Sequence, residues 1–278
     1  MSLFVHSDRP EAMMGASADL IIARERGKHA RSAIALALVL AIIIASAAYT
    51  QLFDSARLAR GLPALATLAR DMMPPDFSNA KSWLHPLLDT AAMSIAGTAM
   101  AVLLSLPLAV LAARNTSPNL VVYGLARGLL NTLRAIPELI IGIVFVAAVG
   151  FGALPGVLAL GLHSIGMIGK FFAEAIEHCD EKPVEAALSV GATPLQVIVH
   201  AILPQVAPQL ADVALYRWEY NFRASTVMGM VGAGGIGFEL IGSLRLMQYQ
   251  EVSALLLVIL AAVTLVDSLG AGLRRHLR

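Results

Sequence analysis

Apolar residues run in long stretches along this chain, and most polar ones are gathered between them. Residues 32–49 read SAIALALVLAIIIASAAY, without a single charge. A run of that length approaches the roughly 20 residues that cross a bilayer and predicts a membrane-spanning helix. Similar runs at 87–112, from Arg134 to about Gly150, at 154–175 and at 252–269 predict four more, and a sixth starts after Pro204, interrupted by charges. Pro107 is expected to kink the second span, and Pro137 falls near the start of the third. The expected fold is all-α, a polytopic membrane helical bundle of about six transmembrane helices. The first span starts late and its apolar core is long for a signal peptide, so it is read as a retained helix.

One stretch breaks the pattern. Residues 181–205, EKPVEAALSVGATPLQVIVHAILPQ, read as two short, well-capped helices between apolar segments. Pro183 suits a first helical turn, and Gly191 suits a helix C-terminus because positive φ costs it little. Thr193, Pro194 and Gln196 fit an N-cap, a first helical position and the far partner of a capping box. Leu203-Pro204 is expected to close the unit. Two uses stand open on these residues alone: a docking handle for a partner, with Ala186, Ala187 and Gly191 allowing close approach, or an amphipathic loop helix on the membrane surface.

Composition supports the membrane setting: 58% of residues are hydrophobic and only 14% charged, against about a quarter charged in soluble domains. A formal net charge of +1 excludes the basic stripe of a nucleic-acid-binding protein. The single cysteine, Cys179, rules out an intrachain disulfide or a two-cysteine metal motif. The basic residues from Arg24 to Arg31 and at Arg274, Arg275 and Arg278 predict that both termini face the cytoplasm. Parity of the spans then puts the capped hairpin on the same side, and residues 1–31 become a cytoplasmic N-terminal segment ahead of a membrane domain at 32–278.

Charges inside spans are candidates for function, since each costs about 2.5–3.5 kcal/mol at mid-depth. The fifth span carries Arg217, Glu219 and Arg223. Glu219 and Arg223, four apart with the acid first, fit a helix ion pair. Arg217 fits equally a structural role or a contact with a passing oxyanion. His163 and Ser164 fall near mid-depth of the fourth span, where they suit helix–helix hydrogen bonds or substrate contacts. Lys170 and Glu174 suit an intrahelical pair. Arg134 and Glu138 flank Pro137, which suits an inner gate. The seven histidines show no metal-ligand spacing.

Within the hairpin, residues 185–204, EAALSVGATPLQVIVHAILP, resemble the EAA signature of permease subunits of ABC-type importers. Glu185, Ala186, Ala187, Gly191, Leu203 and Pro204 match it; Ala201 departs from the apolar β-branched residue usual before the Leu-Pro pair. The resemblance implies a type I importer permease fold and a non-catalytic subunit of the bacterial inner membrane. It implies two permease chains, read here as a homodimer with a sister chain as the alternative. It also implies two cytoplasmic ATPase subunits and an extracytoplasmic substrate-binding protein. The EAA helix, with Thr193 as its second cap, would lie in a groove of the ATPase. No cofactor is expected in this chain, ATP and Mg being bound by the ATPase, and no G-x-x-x-x-G-K-[ST] cradle occurs.

RAIPELIIG at 134–142, GLHSIGMIGKFFAEAIE at 161–177 and NFRASTVMGMVGAGGIGFEL at 221–240 are similar to phosphonate importer permeases, from about residue 84 onward. The implied cargo is a phosphonate-type anion, or phosphite or hypophosphite; a methionine permease or a self-contained carrier are the alternatives. Gly232, Gly234 and Gly237 satisfy G-x-G-x-x-G, but apolar spans flank them instead of a βαβ unit. With Gly235 they are read as an irregular external turn near the permeation path, or as a tight connection between spans.

Overall fold

The computed structural model describes residues 31–277, which fall into two compact units divided between Thr67 and Leu68. The basic residues Arg24, Arg26, Lys28 and Arg278, and nearly all of the proposed segment 1–31, lie outside the described residues. The first unit holds α1, Arg31–Tyr49, apolar on every side and exposed at every position but Ala47, as expected of a helix surrounded by lipid. It also holds the start of α2, Ser55–Asp71, whose first turn is capped by Asp54 accepting from Arg57 N at 2.9 Å.

The second unit is built around α3, Leu84–Ala112, and α6, Ala153–Glu177, which run side by side in the same direction. Small residues make this possible. Thr90, Ser94, Gly97, Thr98, Ala101, Ser105, Ala109 and Ala112 form one buried stripe on α3, spaced three or four apart except for the adjacent Gly97 and Thr98. A side chain at Gly97 would press within 3.2–3.3 Å of Leu160 and the Val157 carbonyl. Ser105 Oγ donates to the Ile165 carbonyl at 3.2 Å, tying the two helices. Pro107 lies inside α3 without ending it.

The third predicted span is broken. Helix α4, Leu120–Ala135, and helix α5, Glu138–Val149, meet at an 84° bend at Ile136-Pro137. Proline has no N–H to continue the ladder, so backbone groups are freed at the break. The Ile136 carbonyl is satisfied by His163 Nδ1 on α6, at 3.1 Å. Gly166 lets α4 end directly on α6: a Cβ there would lie 2.7 Å from Arg134 N.

Helix α6 ends at Glu177 and gives way to α7, Glu181–Ser189, and α8, Pro194–Val197. Leu203-Pro204 does not close the hairpin as the sequence suggested. A π-helical turn, Ile198–Ile202, leads straight into α9, Leu203–Met228, giving one helical path from Pro194 to Val231. Proline at the start of α9 is tolerated because the wider π turn has already shifted the hydrogen-bond register. After a 3-10 turn, Gly229–Val231, come α10, Ile236–Arg245, and α11, Tyr249–Leu277. Helix α11 runs antiparallel to α9, since Asp267 meets Arg223 while Arg274 approaches Asp212. It therefore ends at the same end of the unit as the hairpin. Five described helices are long and apolar enough to cross a membrane, or six candidates with the bent α4–α5 pair taken as one span. No strand occurs among the described residues.

Candidate functional site

Four of the polar residues singled out in the spans converge inside the bundle. Arg217 of α9 is 5% exposed, and its Nε donates to Ser164 Oγ of α6 at 2.8 Å. Ser164 Oγ in turn donates to Asn221 Oδ1 at 3.1 Å. Asn221 Nδ2 donates to Thr98 Oγ1 of α3 at 2.9 Å, and Thr98 donates to the Ser94 carbonyl at 2.7 Å. Every hydrogen in this chain points one way, from the guanidinium across three helices, an arrangement in which each bond polarises the next.

A second arm leads to the helix break. Glu138 is the first residue of α5; its Oε1 accepts from Tyr220 OH at 2.7 Å and its Oε2 faces His163 Nε2 at 3.2 Å. A carbonyl only accepts, so His163 Nδ1 donates to Ile136 O, which turns Nε2 toward the carboxylate. The Arg217 guanidinium stacks 4.2 Å above the Tyr220 ring, and its Nη2 is buried with no hydrogen-bond partner among the described residues. Burial of these groups is costly unless they are paired, which explains why a cation, a carboxylate and five further polar side chains cluster together.

The other intramembrane charges lie elsewhere. Glu219 and Arg223 do not pair with each other. Arg223 binds Asp267 of α11 at 2.8 Å, and Glu219 binds Arg274 at 2.7 Å. The expected helix pair lost to α11, whose carboxylate and guanidinium face α9 across the packing seam. Arg223 is half exposed, whereas Glu219 is buried. Lys170 and Glu174 do approach, at 3.5 Å. Arg134 is exposed in the last turn of α4, apart from the cluster.

Gly232, Gly234 and Gly235 form a tight turn at the opposite end of the unit from the hairpin, all with positive φ. A Cβ at Gly235 would lie 2.5 Å from Thr90 Oγ1, the atom that accepts from Ile236 N at 2.9 Å. The connection is thereby locked onto the first turns of α3.

The hairpin has the caps its sequence promised. Asp180 accepts from Lys182 N at 3.1 Å at the start of α7. Gly191, at φ 81°, turns the chain after α7, with Gly191 N bound to Leu188 O and Ala192 N to Ala187 O. Thr193 and Gln196 form a reciprocal capping box. Gln205 ties the hairpin base to α9, accepting from Asp180 N at 3.0 Å and donating to Ala201 O at 2.6 Å. No residue of α7 is buried. Glu185, Ala186 and Gly191 face outward beside the exposed side chains of Leu188, Val190 and Leu195, Leu203 and Pro204 are exposed at the base, and Ala187 packs partly against the core. Cys179, just before α7, has its thiol pKa pushed up by burial.

Tyr220, Asn221 and Thr98 complete the buried cluster and were not expected from the sequence. Asn221 lies four residues after Arg217, on the same helix face, a spacing that would have flagged it. Thr98 carries no such signal. Among the described residues no group of His, Cys, Asp and Glu is arranged to hold a metal.

The bundle thus combines a broken span, a polar cluster between its helices and an exposed capped hairpin at one end. The chain belongs to the binding-protein-dependent transport system inner membrane components, whose family pattern matches residues 105–278. It is an integral inner-membrane protein, and its place in an ABC importer carries a general need for ATPase and substrate-binding partners. It is 68% identical over 243 residues to the phosphite transport system permease protein PtxC of Stutzerimonas stutzeri, covering 87% of this chain and 88% of that one. It is 42% identical over 213 residues to the phosphate-import permease protein PhnE of Mycolicibacterium smegmatis, covering 77% of this chain and 40% of that one. In fold it is similar to an inward-facing MetNI methionine ABC transporter chain, with TM-score 0.61 and 22% identity, covering 70% of this chain and 96% of that one.

Proposed function

We propose that this chain forms the membrane path for phosphite or a related phosphonate-type anion, driven by a separate ATPase. The observation that carries the cargo is the 68% identity over 243 residues with a phosphite permease. The buried cluster supports it, because a phosphorus oxyanion needs donors and positive potential that bind weakly enough to release. Arg217, His163, Ser164 and Glu138 line or gate that path, with Arg134 at its inner side and the turn at Gly232, Gly234 and Gly235 at its outer side. Glu219 and Arg223 set the position of α9 along it.

The hairpin is the coupling element. Glu185, Ala186, Ala187, Gly191, Thr193, Leu203 and Pro204 form a rigid, exposed unit joined without interruption to α9, so a push on α7 is transmitted to the helix bearing Arg217. Residues 32–278 act as the permease domain, with 84–278 as its core and 181–204 as its coupling segment. The full complex holds two copies of this chain, two cytoplasmic ATPases that bind ATP and Mg, and an extracytoplasmic binding protein. Both termini and the hairpin face the cytoplasm, which fits the shared end of α11 and the hairpin. Competition for uptake in the reconstituted complex tests the cargo: phosphite and methylphosphonate should displace labelled phosphite, and methionine should not. Displacement by methionine alone would reassign the permease.

A further inference from the structure

The Glu138 carboxylate occupies a donor that an oxyanion would need. It accepts from Tyr220 OH at 2.7 Å and faces His163 Nε2 at 3.2 Å. Behind Tyr220 lies the Arg217 guanidinium, 4.2 Å from the ring centroid, with its Nη2 buried and without a hydrogen-bond partner among the described residues. Beside this set opens a cavity of about 230 Å³, lined by Glu138, Leu139, Tyr220, Arg223, Ala224 and Val227. Its walls thus include the carboxylate and the Tyr220 hydroxyl that donates to it.

The carboxylate is also placed to leave. It is the first side chain after the 84° break between α4 and α5. The α4 side of the break is pinned to α6 by His163 on the Ile136 carbonyl and by the close approach at Gly166. Pro137 leaves no backbone hydrogen bond of its own N–H to resist a change of angle on the α5 side. A rotation of α5 at the break would carry Glu138 away while leaving His163, Tyr220 and Arg217 on α6 and α9.

We infer that Glu138 is a resident stand-in for the transported phosphorus oxyanion: its carboxylate holds the Tyr220 hydroxyl and stands in front of His163 in this conformation, and rotation of α5 yields that place, with Arg217 behind, to the cargo. The inference rests on the phosphite or phosphonate reading above. Carboxylate and phosphorus oxyanion compete for the same hydrogen-bond donors and repel each other, so they occupy the set in turn. The exchange keeps the buried cation compensated in both states, and the returning carboxylate expels the cargo, which a transport site requires.

The test uses the whole transporter, permease with ATPase and binding protein, and radiolabelled phosphite as the probe. Uptake by the wild-type complex is measured first. Absence of uptake of both phosphite and methylphosphonate overturns the cargo reading, and this inference with it. With uptake present, Glu138→Gln is expected to retain phosphite about tenfold more tightly on the permease–ATPase complex freed of binding protein, and to transport it more slowly. Adding Arg217→Gln is expected to abolish the gain. Unchanged retention in Glu138→Gln, or a gain that survives Arg217→Gln, overturns the stand-in role while leaving the cargo reading intact. Co-purification of the ATPase reports assembly of each variant. Should Glu138→Gln fail to assemble, Glu138→Asp withdraws the carboxylate by one methylene: tighter retention supports the inference and unchanged retention overturns it.

Discussion

Replacing Asn221 with leucine removes the bridge between α3, α6 and α9 while roughly keeping the volume. Asn221 is fully buried, accepts from Ser164 at 3.1 Å and donates to Thr98 at 2.9 Å. Both bonds disappear, and the Ser164 hydroxyl keeps only the bond it accepts from Arg217 Nε. Hydrogen bonds between membrane helices contribute about 0.6 kcal/mol each on average and up to about 1.7. Two of them amount to about 1–3 kcal/mol, or roughly a five- to 150-fold shift in the unfolding equilibrium. Reversible unfolding of the purified chain in mixed micelles, followed by helical circular dichroism, measures the shift. A double-mutant cycle with Thr98→Val should give a coupling of at least about 0.5 kcal/mol. A loss below about 0.5 kcal/mol, with no coupling to Thr98, would refute a three-helix bridge.

Further substitutions test other parts of the fold. Gly237→Ala places a Cβ against the Thr226 carbonyl oxygen, a backbone atom that cannot swing aside, so it should cost at least about 1–3 kcal/mol in the same unfolding assay. Arg274→Ala leaves the buried Glu219 carboxylate uncompensated and should cost about 3–5 kcal/mol, with Glu219→Gln in the same background restoring much of it. Thr193→Ala breaks the capping box and should loosen the hairpin by about 0.5–2 kcal/mol, seen as faster amide exchange in residues 195–197 with little change in α6.

The parts of the molecule written in local signals were the legible ones. The caps at Gly191, Thr193 and Gln196 depend on neighbours within a few residues, and the structure has them where the sequence places them. Glu138, His163, Ser164 and Arg217 were each conspicuous because polar groups in apolar spans are costly. Their convergence was not legible, since it depends on the bend at Pro137 and on the parallel packing of α3 with α6. Tyr220, Asn221 and Thr98 carry no charge, and Thr98 joins the cluster only through a contact 123 residues away in sequence. The Glu219–Arg223 spacing misled because a local rule lost to partners on α11. The Leu203-Pro204 pair looked like a terminator, yet the π turn before it carries the chain into α9 without a break.

ATP-driven accumulation of labelled phosphite in proteoliposomes bears most directly on whether the hairpin drives this bundle. With ATPase and binding protein present, the wild-type chain should concentrate phosphite only while ATP is hydrolysed, and Glu185→Lys should abolish accumulation and release the ATPase from the purified complex. Phosphite uptake by the chain without its ATPase, or undiminished accumulation by Glu185→Lys, would contradict the account.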